Sequence, residues 1–302
     1  MQVDPHYLNN LSAYLDQSQA TTQQLTSELS SGVRVTSLGQ DPVASGENVL
    51  MLNQIQQDDS FTNSSNLATG KMQVADSALG SVVTQLTQAI TLATSANNGT
   101  LNSSDVKAIA NQLSGILGEV TTLANTSYQG EYIFAGGKTS TTPFATSNAT
   151  TPAITTYSGD DDINYLSLPN GQSIQLNVPG DQIFSGSGTN NVFAALNSLI
   201  ADYSSGTVNT SQAVSDTEAL SSSLNYVSQQ RVVIDNSITA VSSASDTVTS
   251  EQTQLTAAQT SLMQADIPSL STQLTLSETQ QTALEDVIAQ LGSSSNSLFS
   301  KL

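Results

Sequence analysis

The chain has 302 residues, of which 37% are hydrophobic and 5% aromatic, and it contains no Trp. That apolar fraction is below the ~45–50% of ordinary globular chains, so we expect thin helical seams rather than one thick core. The net charge is −19, and the six basic residues are scattered. This argues against binding to nucleic acid or to anionic membranes, since both require clustered Lys and Arg.

Two further features narrow the class of protein. There is no Cys, which excludes disulfides and thiolate metal sites. The start of the chain lacks the basic and apolar regions of a secretory signal, and no apolar run approaches the ~20 residues that span a bilayer. We therefore expect no membrane insertion, and either a cytoplasmic protein or one exported without a cleaved signal.

The first predicted element is a helix, because apolar residues recur at three-four spacing from Leu8 to Leu29. Gly32 is a favoured residue just past a helix end. Asp41 is a good N-cap with Pro42 in the first helical position, so a second helix is predicted to start there and continue towards Thr69.

Two more helical tracts follow. Met72 to Ala96 keeps helical spacing and is half Ala, which indicates close helix packing. Asn97–Gly99 predicts a turn, and Ser103 or Ser104 is expected to cap the next helix, which runs from Val106 to Leu123.

The middle of the chain predicts strands instead. Glu131 to Ala135, Ile154 to Tyr157 and Ile163 to Leu168 have strand-like patterns, and Asn170-Gly171 before Ile174 to Val178 is a strong hairpin signal. A short helix is expected from Asn191 to Tyr203.

The last two tracts carry long seven-residue repeats, which are typical of coiled coils and bundles. They run from Val227 to Leu262 and from Leu270 to Leu302, and Pro268 is expected to mark the break between them. The predicted fold is mainly α: N- and C-terminal helices form a coiled-coil or bundle rod, with a small β-rich insert. The predicted divisions are 1–40 (N-terminal assembly helix and loop), 41–129 (rod), 130–190 (β-rich outer insert), 191–265 (rod) and 266–302 (C-terminal assembly helix).

The terminal helices are the candidate functional site. Their narrow apolar stripes are interrupted by Ser, Thr and Gln, and such helices are marginal in water unless their apolar face is packed. Either they are loose in the monomer and order on assembly, or they form an antiparallel coiled coil that is complete in itself. The predicted assembly residues are Leu8, Leu11, Leu15, Leu25, Leu29, Leu270, Leu274, Leu284, Ile288, Leu291, Leu298 and Leu302.

Several segments together resemble one known family. Leu29–Val35 followed by Asp41–Ala44 resembles the N-terminal signature of bacterial flagellins, and Gly130–Gly136 is similar to a run in their hook-associated relatives. Gln280–Leu284 and Ser297–Phe299 resemble the C-terminal helix of the family. The signature residues are Gly32, Arg34, Asp41, Pro42, Tyr132, Phe134 and Gly136.

The resemblance implies a function and partners. It implies a flagellin-like subunit that is exported without a cleaved signal and assembles as a ring at the hook tip, joining hook to filament. The implied partners are neighbouring copies, the other hook-associated junction protein, flagellin, and an export chaperone on the C-terminal helix. The main filament subunit is the alternative, and a stand-alone coiled-coil effector or adhesin is a third class.

Catalysis is not expected, and neither is a cofactor. The single His, His6, has no visible partner residues for acid–base or metal chemistry. Asp160-Asp161-Asp162 hints at calcium, but an EF-hand loop would need Gly and Glu where the chain has Tyr165 and Gly171. An acidic turn is the simpler interpretation.

Overall fold

The computed structural model describes residues 5–147, 154–168, 171–186 and 190–299. The predicted mainly helical architecture with a small β-rich insert is confirmed. The helices are α1 (Pro5–Ser31), α2 (Pro42–Asn97), α3 (Ser103–Ala124), α4 (Gly180–Phe184), α5 (Val192–Ser204), α6 (Thr210–Met263) and α7 (Ile267–Phe299). The strands are β1 (Ser127–Tyr128), β2 (Glu131–Tyr132), β3 (Phe144–Ser147), β4 (Ile154–Tyr157), β5 (Tyr165–Ser167) and β6 (Ser173–Gln175).

The chain divides into two compact units. Unit 1 comprises Met1–Asp58 with Ser250–Leu302, and unit 2 comprises Asp59–Thr249. Both ends of the chain therefore belong to unit 1. The finer five-part division remains a prediction.

The helix boundaries largely follow the predicted caps. Gly32 has φ 69° and its N–H donates to the Glu28 carbonyl at 2.9 Å, which ends α1 as predicted. Asp41 Oδ1 accepts from the Ala44 N–H at 3.0 Å, which caps α2. The segment towards Thr69 and the Ala-rich tract after it are one continuous helix of 56 residues.

Two predicted helix signals were misplaced. The cap of α3 is Asn102, whose side chain accepts from the N–H groups of Ser104 and Asp105; the prediction of Ser103 or Ser104 was wrong by one or two residues. The break before α7 lies at residues 264–266, and Pro268 sits inside the first turn of α7, where a missing N–H costs nothing.

The β-rich insert is three separate two-stranded antiparallel sheets, β1–β2, β3–β4 and β5–β6. The predicted strand from Glu131 to Ala135 is wrong beyond Tyr132: residues 133–135 are buried without ladder pairing. The predicted hairpin after Ile163 is present as β5–β6, with Leu166 opposite Ile174. Its strands are shorter than predicted, and Asn170 lies outside the described residues.

The core of unit 2 joins four helices and the insert. The predicted close packing of the Ala-rich tract is confirmed, since Ala89 and Ala93 are fully buried. The α6 residue Arg231 pairs with Asp76 of α2, with 2.5 Å between Nε and Oδ1 and 3.1 Å between Nη2 and Oδ2. A ring cluster caps the insert side of the core, with ring centroids 5.1–5.9 Å apart: Phe134, Phe144, Tyr157, Phe184 and Phe193.

Candidate assembly site of the terminal helices

Helices α1 and α7 pack against each other in unit 1. Their shared apolar cluster is small: Leu25, Ala265 and Leu270 are buried, and Leu29 and Leu274 are partly buried against them. Side chains buried in so small a cluster contribute much less than a full domain core, because apolar stabilisation scales with buried area. The pair is therefore a thin seam, as the narrow stripes predict.

Polar side chains occupy the seam beside this cluster. The hydroxyls of Thr22 and Ser277 are 2.9 Å apart across the two helices, and Ser277 is 6% exposed. Glu28 is also 6% exposed, and its Oε1 accepts from the side-chain amides of Gln24 and Gln40 at 2.9 and 3.3 Å. These groups satisfy one another, but each takes a position that an apolar residue would fill in a tighter pair.

The predicted assembly residues differ in burial along the seam. Leu11 is buried, whereas Leu15, Leu284 and Ile288 are only half-buried. The side chains of Leu8, Leu291 and Leu298, and the whole of Leu302, lie outside the described residues. The structure thus brings Leu25 and Leu270 together in the buried cluster, and it leaves most of the other described assembly residues partly exposed.

A groove runs along the less covered part of the pair. It encloses about 680 Å³ and is lined by residues of both helices, among them Tyr14, Ser18, Ser277, Gln280, Leu284 and Val287. The Ser18 hydroxyl is buried there without a hydrogen-bond partner.

The predicted assembly residues do not include three exposed apolar residues of this site. Tyr14 is 63% exposed, Leu276 is 58% exposed and Val287 is 40% exposed. Leu276, Ala283 and Val287 recur at helical spacing on α7, which is the signal of a second, narrower stripe beside the predicted one. Exposed apolar residues grouped in this way mark surfaces for protein association.

The signature residues fall into two groups. Gly32, Arg34, Asp41 and Pro42 lie in unit 1, at the connection from α1 to α2. Arg34 forms an ion pair with Asp41 at 3.1 Å. The pKa of the Asp41 carboxyl is lowered, first by the hydrogen bond from the Ala44 backbone and then by Arg34.

The second group lies in unit 2 and supports the core of the insert. Tyr132 accepts a hydrogen bond from the Thr142 hydroxyl at 3.1 Å, and Phe134 packs edge-on against Phe184. Gly136 has φ 66°, and a Cβ there would overlap the Asp160 carbonyl. These residues pack within unit 2.

Among the residues that the structure describes, no group of three or more His, Cys, Asp or Glu is placed to hold a metal ion. The Asp160 carboxylate accepts from the backbone N–H groups of Gly137 and Asp162, as in an acidic turn. No described helix is long and apolar enough to cross a membrane.

Comparison with known proteins finds similarity to flagellar proteins. Residues 6–139 match the family model of the bacterial flagellin N-terminal helical region. The chain is 30% identical over 197 residues to flagellar hook-associated protein 3 of Escherichia coli, covering 61% of this chain and 60% of that protein. It is 35% identical over 139 residues to flagellar hook-associated protein 3 of Salmonella typhimurium, covering 46% and 44% of the two chains.

A solved structure shares the fold. The flagellar junction protein FlgL from Legionella pneumophila superimposes with a TM-score of 0.57 at 15% identity, over 72% of this chain and 100% of that one. The chain matches at most about 60% of the length of the two curated relatives. Residues 6–139 are therefore similar to the N-terminal helical region of bacterial flagellins, and the chain shares its fold with a flagellar junction protein.

Proposed function

We propose that the chain is a structural, non-enzymatic subunit of the bacterial flagellum that joins hook to filament, assembling as a ring at the hook tip through its terminal helices. The observation that carries this proposal is the unfinished α1–α7 pair, with its small buried cluster and its exposed apolar face. The names of the two sequence relatives, both hook-associated protein 3, favour the junction role over the filament subunit.

The α1–α7 pair leaves apolar surface on α7 that a further helix could cover. Leu284 and Ile288 are half-buried and Leu276 and Val287 are exposed, so α7 alone presents apolar surface on two sides. Covering such side chains would stabilise an assembly by roughly 25 cal/mol per Å² of apolar area buried. Neighbouring copies, the other hook-associated junction protein and flagellin are the proposed partners in that layer.

The start of α2 adds a second exposed surface in unit 1. Leu38, Val43 and Leu50 are each about 70% exposed, at 71%, 71% and 70%. Apolar side chains exposed to this degree in a chain of low apolar content support a role in contacts between subunits.

Export before assembly is also part of the proposal. An export chaperone is proposed to cover the amphipathic face of α7 until the chain reaches the hook tip, as in helix-in-groove recognition. The proposed location is the extracellular flagellum, reached without a cleaved signal peptide.

The proposal is tested by deleting the gene and imaging the cells. Intact hooks with filament subunits released into the medium support the junction role. Loss of the filament with no released filament subunit identifies this chain as the filament subunit. Complementation with a chain that lacks residues 277–302 should leave the β insert folded and restore neither filaments nor chaperone binding.

Point variants make the test specific to the terminal helices. Leu276→Gln with Val287→Gln removes two exposed apolar residues of α7, and should abolish motility without unfolding the chain. Val232→Gln with Val233→Gln removes a matched exposed pair from α6, at 56% and 39% exposure, and should leave motility intact. Equal loss of motility with both pairs would contradict assembly through the terminal helices.

A further inference from the structure

Two short connections in unit 1 lead to the terminal helices, and they are hydrogen-bonded to each other. The connection after α1 meets the connection before α7 in an antiparallel bridge between Val33 and Gln264. The Arg34 N–H donates to the Met263 carbonyl at 2.7 Å, and the Ala265 N–H donates to the Gly32 carbonyl at 3.0 Å. Segments 231 residues apart in the chain are thereby held side by side.

The Arg34 side chain reinforces this bridge from one edge. Its guanidinium donates to Asp41 Oδ2 at 3.1 Å and to the Leu262 carbonyl at 3.3 Å. Asp41 is the N-cap of α2, and Leu262 lies in the last turn of α6. One cation therefore ties the beginning of one helix to the end of another, where the helix dipole favours positive charge.

The longer connection is also folded onto itself. Gln40 Oε1 accepts from the backbone N–H groups of Thr36 and Ser37 at 2.7 and 3.1 Å. The Gln40 amide donates to Glu28 of α1 at 3.3 Å. Because its hydrogen bonds are made within the connection and to α1, this connection is a compact turn rather than a flexible linker.

We propose that Arg34 is a positioning residue that holds the two connections in one register, so that α1 and α7 are oriented together as one body. The inference rests on the proposed function for its purpose, because the helices that it orients are those assigned to assembly. Without the contacts of the Arg34 side chain, only the two backbone hydrogen bonds of the bridge would hold the connections together. The seam residues of α1 and α7 would then meet in several registers.

The test uses engineered disulfides, for which this chain is suited because it has no Cys. Val33 and Gln264 form a non-hydrogen-bonded antiparallel pair, in which Cα atoms lie ~4.5 Å apart, within the range that a disulfide requires. The chain with Val33→Cys and Gln264→Cys is oxidised as the isolated full-length protein, and the rate of disulfide formation is measured. Leu38→Cys with Gln264→Cys is the control pair, since Leu38 is exposed and lies outside the bridge.

The Val33–Gln264 pair should form its disulfide at least ~10-fold faster than the control pair, and Arg34→Ala should slow it by ~5–10-fold, as loss of a charge-assisted hydrogen bond predicts. Arg34→Lys should recover part of the rate by keeping the charge. Asp41→Asn should keep the N-cap and lose only the ion pair. A merely structural role would show no such graded recovery.

Two results would overturn the inference. One is a rate with Arg34→Ala within twofold of the parent pair, and the other is equal rates for the Val33–Gln264 and control pairs. Because the measurement is made on the isolated chain, it can fail while the junction role holds. The reverse is also true, since Arg34 can hold the two connections in register in a chain that joins some other assembly.

Discussion

Gly136 and Gly99 both adopt a left-handed backbone, but their surroundings differ. Gly136 has φ 66° and Gly99 has φ 68°. A Cβ at Gly136 would overlap the backbone carbonyl of Asp160, whereas Gly99 has no heavy atom within 4 Å of that position. Any L residue at either site pays the free-energy cost of a left-handed backbone. Only at Gly136 would the added Cβ also displace the segment at Asp160.

Alanine at these two positions should therefore have unequal effects. Gly99→Ala should lower the free energy of unfolding by ~1–2 kcal/mol, from the backbone conformation alone. Gly136→Ala should lower it by roughly 3 kcal/mol or more, because the insert must shift as well. Urea denaturation of both variants measures the difference, and equal losses would contradict the tight approach of Asp160 to Gly136.

The carboxyls of Asp202 on α5 and Asp216 on α6 form a like-charged pair. A hydrogen bond joins the two carboxyls. Burial is the main reason that the pKa of Asp202 is raised, with the hydrogen bond and the charge of Asp216 adding to it. Gln212 donates to Asp216 Oδ1 at 3.0 Å, and burial likewise raises the pKa of the adjacent Tyr203 to about 12.

The raised pKa of Asp202 predicts that this pair destabilises the fold at neutral pH and not at acidic pH. Because the folded-state pKa of Asp202 exceeds its unfolded value, the fold binds the proton more tightly, and stability falls as pH rises through the raised pKa. Asp202→Asn should therefore raise Tm at pH 7 by ~2 °C, and the gain should vanish near pH 4. Asp246→Asn, on the exposed face of α6, is the control. A gain for Asp202→Asn that is the same at both pH values would contradict the raised pKa of Asp202.

At the scale of elements, local chemistry predicted helices better than strands. Gly32, Asp41 and Pro42 set boundaries through their own backbone preferences, so their positions could be predicted. The Asn102 cap was missed because Asn, Ser103 and Ser104 are all good cap residues in succession. The predicted strand after Tyr132 failed because Ile133 and Phe134 are buried by tertiary packing, and a burial pattern alone does not require a strand partner.

The candidate site was predictable in part. The three-four spacing of leucines predicts which faces of α1 and α7 meet, and Leu25 and Leu270 do so. Spacing says nothing about which of several polar residues pair across the seam, and so the contact of Gln40 with Glu28 could not be predicted. That contact depends on how the connection after α1 folds back.

Truncation of buried side chains should have different effects in the α1–α7 pair and in the helices of unit 2. Leu25→Ala removes one of three buried residues in the small cluster, and should speed amide exchange in α1 and α7 by about fivefold or more. Leu79→Ala, at a fully buried position, should instead lower the main thermal transition, with a loss of ~2–5 kcal/mol. Exchange by mass spectrometry and calorimetry distinguish them. A main transition that shifts equally in both variants would contradict separate stabilities.

At the scale of the whole molecule, the two units differ in how complete they are. Unit 2 buries a continuous cluster drawn from α2, α3, α5, α6 and the insert. Unit 1 buries a cluster of three residues between the terminal helices and leaves large apolar side chains exposed on α1, α2 and α7. Regions with few buried apolar contacts open at low free energy, and this is the property on which the proposed assembly depends.

Hydrogen exchange of α1 and α7, measured in the isolated chain and again after docking onto purified hooks, tests this account most directly. Amides of both helices should exchange at least ~100-fold faster than those of α3 in the isolated chain. They should become protected on docking, with α3 unchanged. Terminal helices already as protected as α3 in the dilute monomer would contradict the claim that assembly completes them.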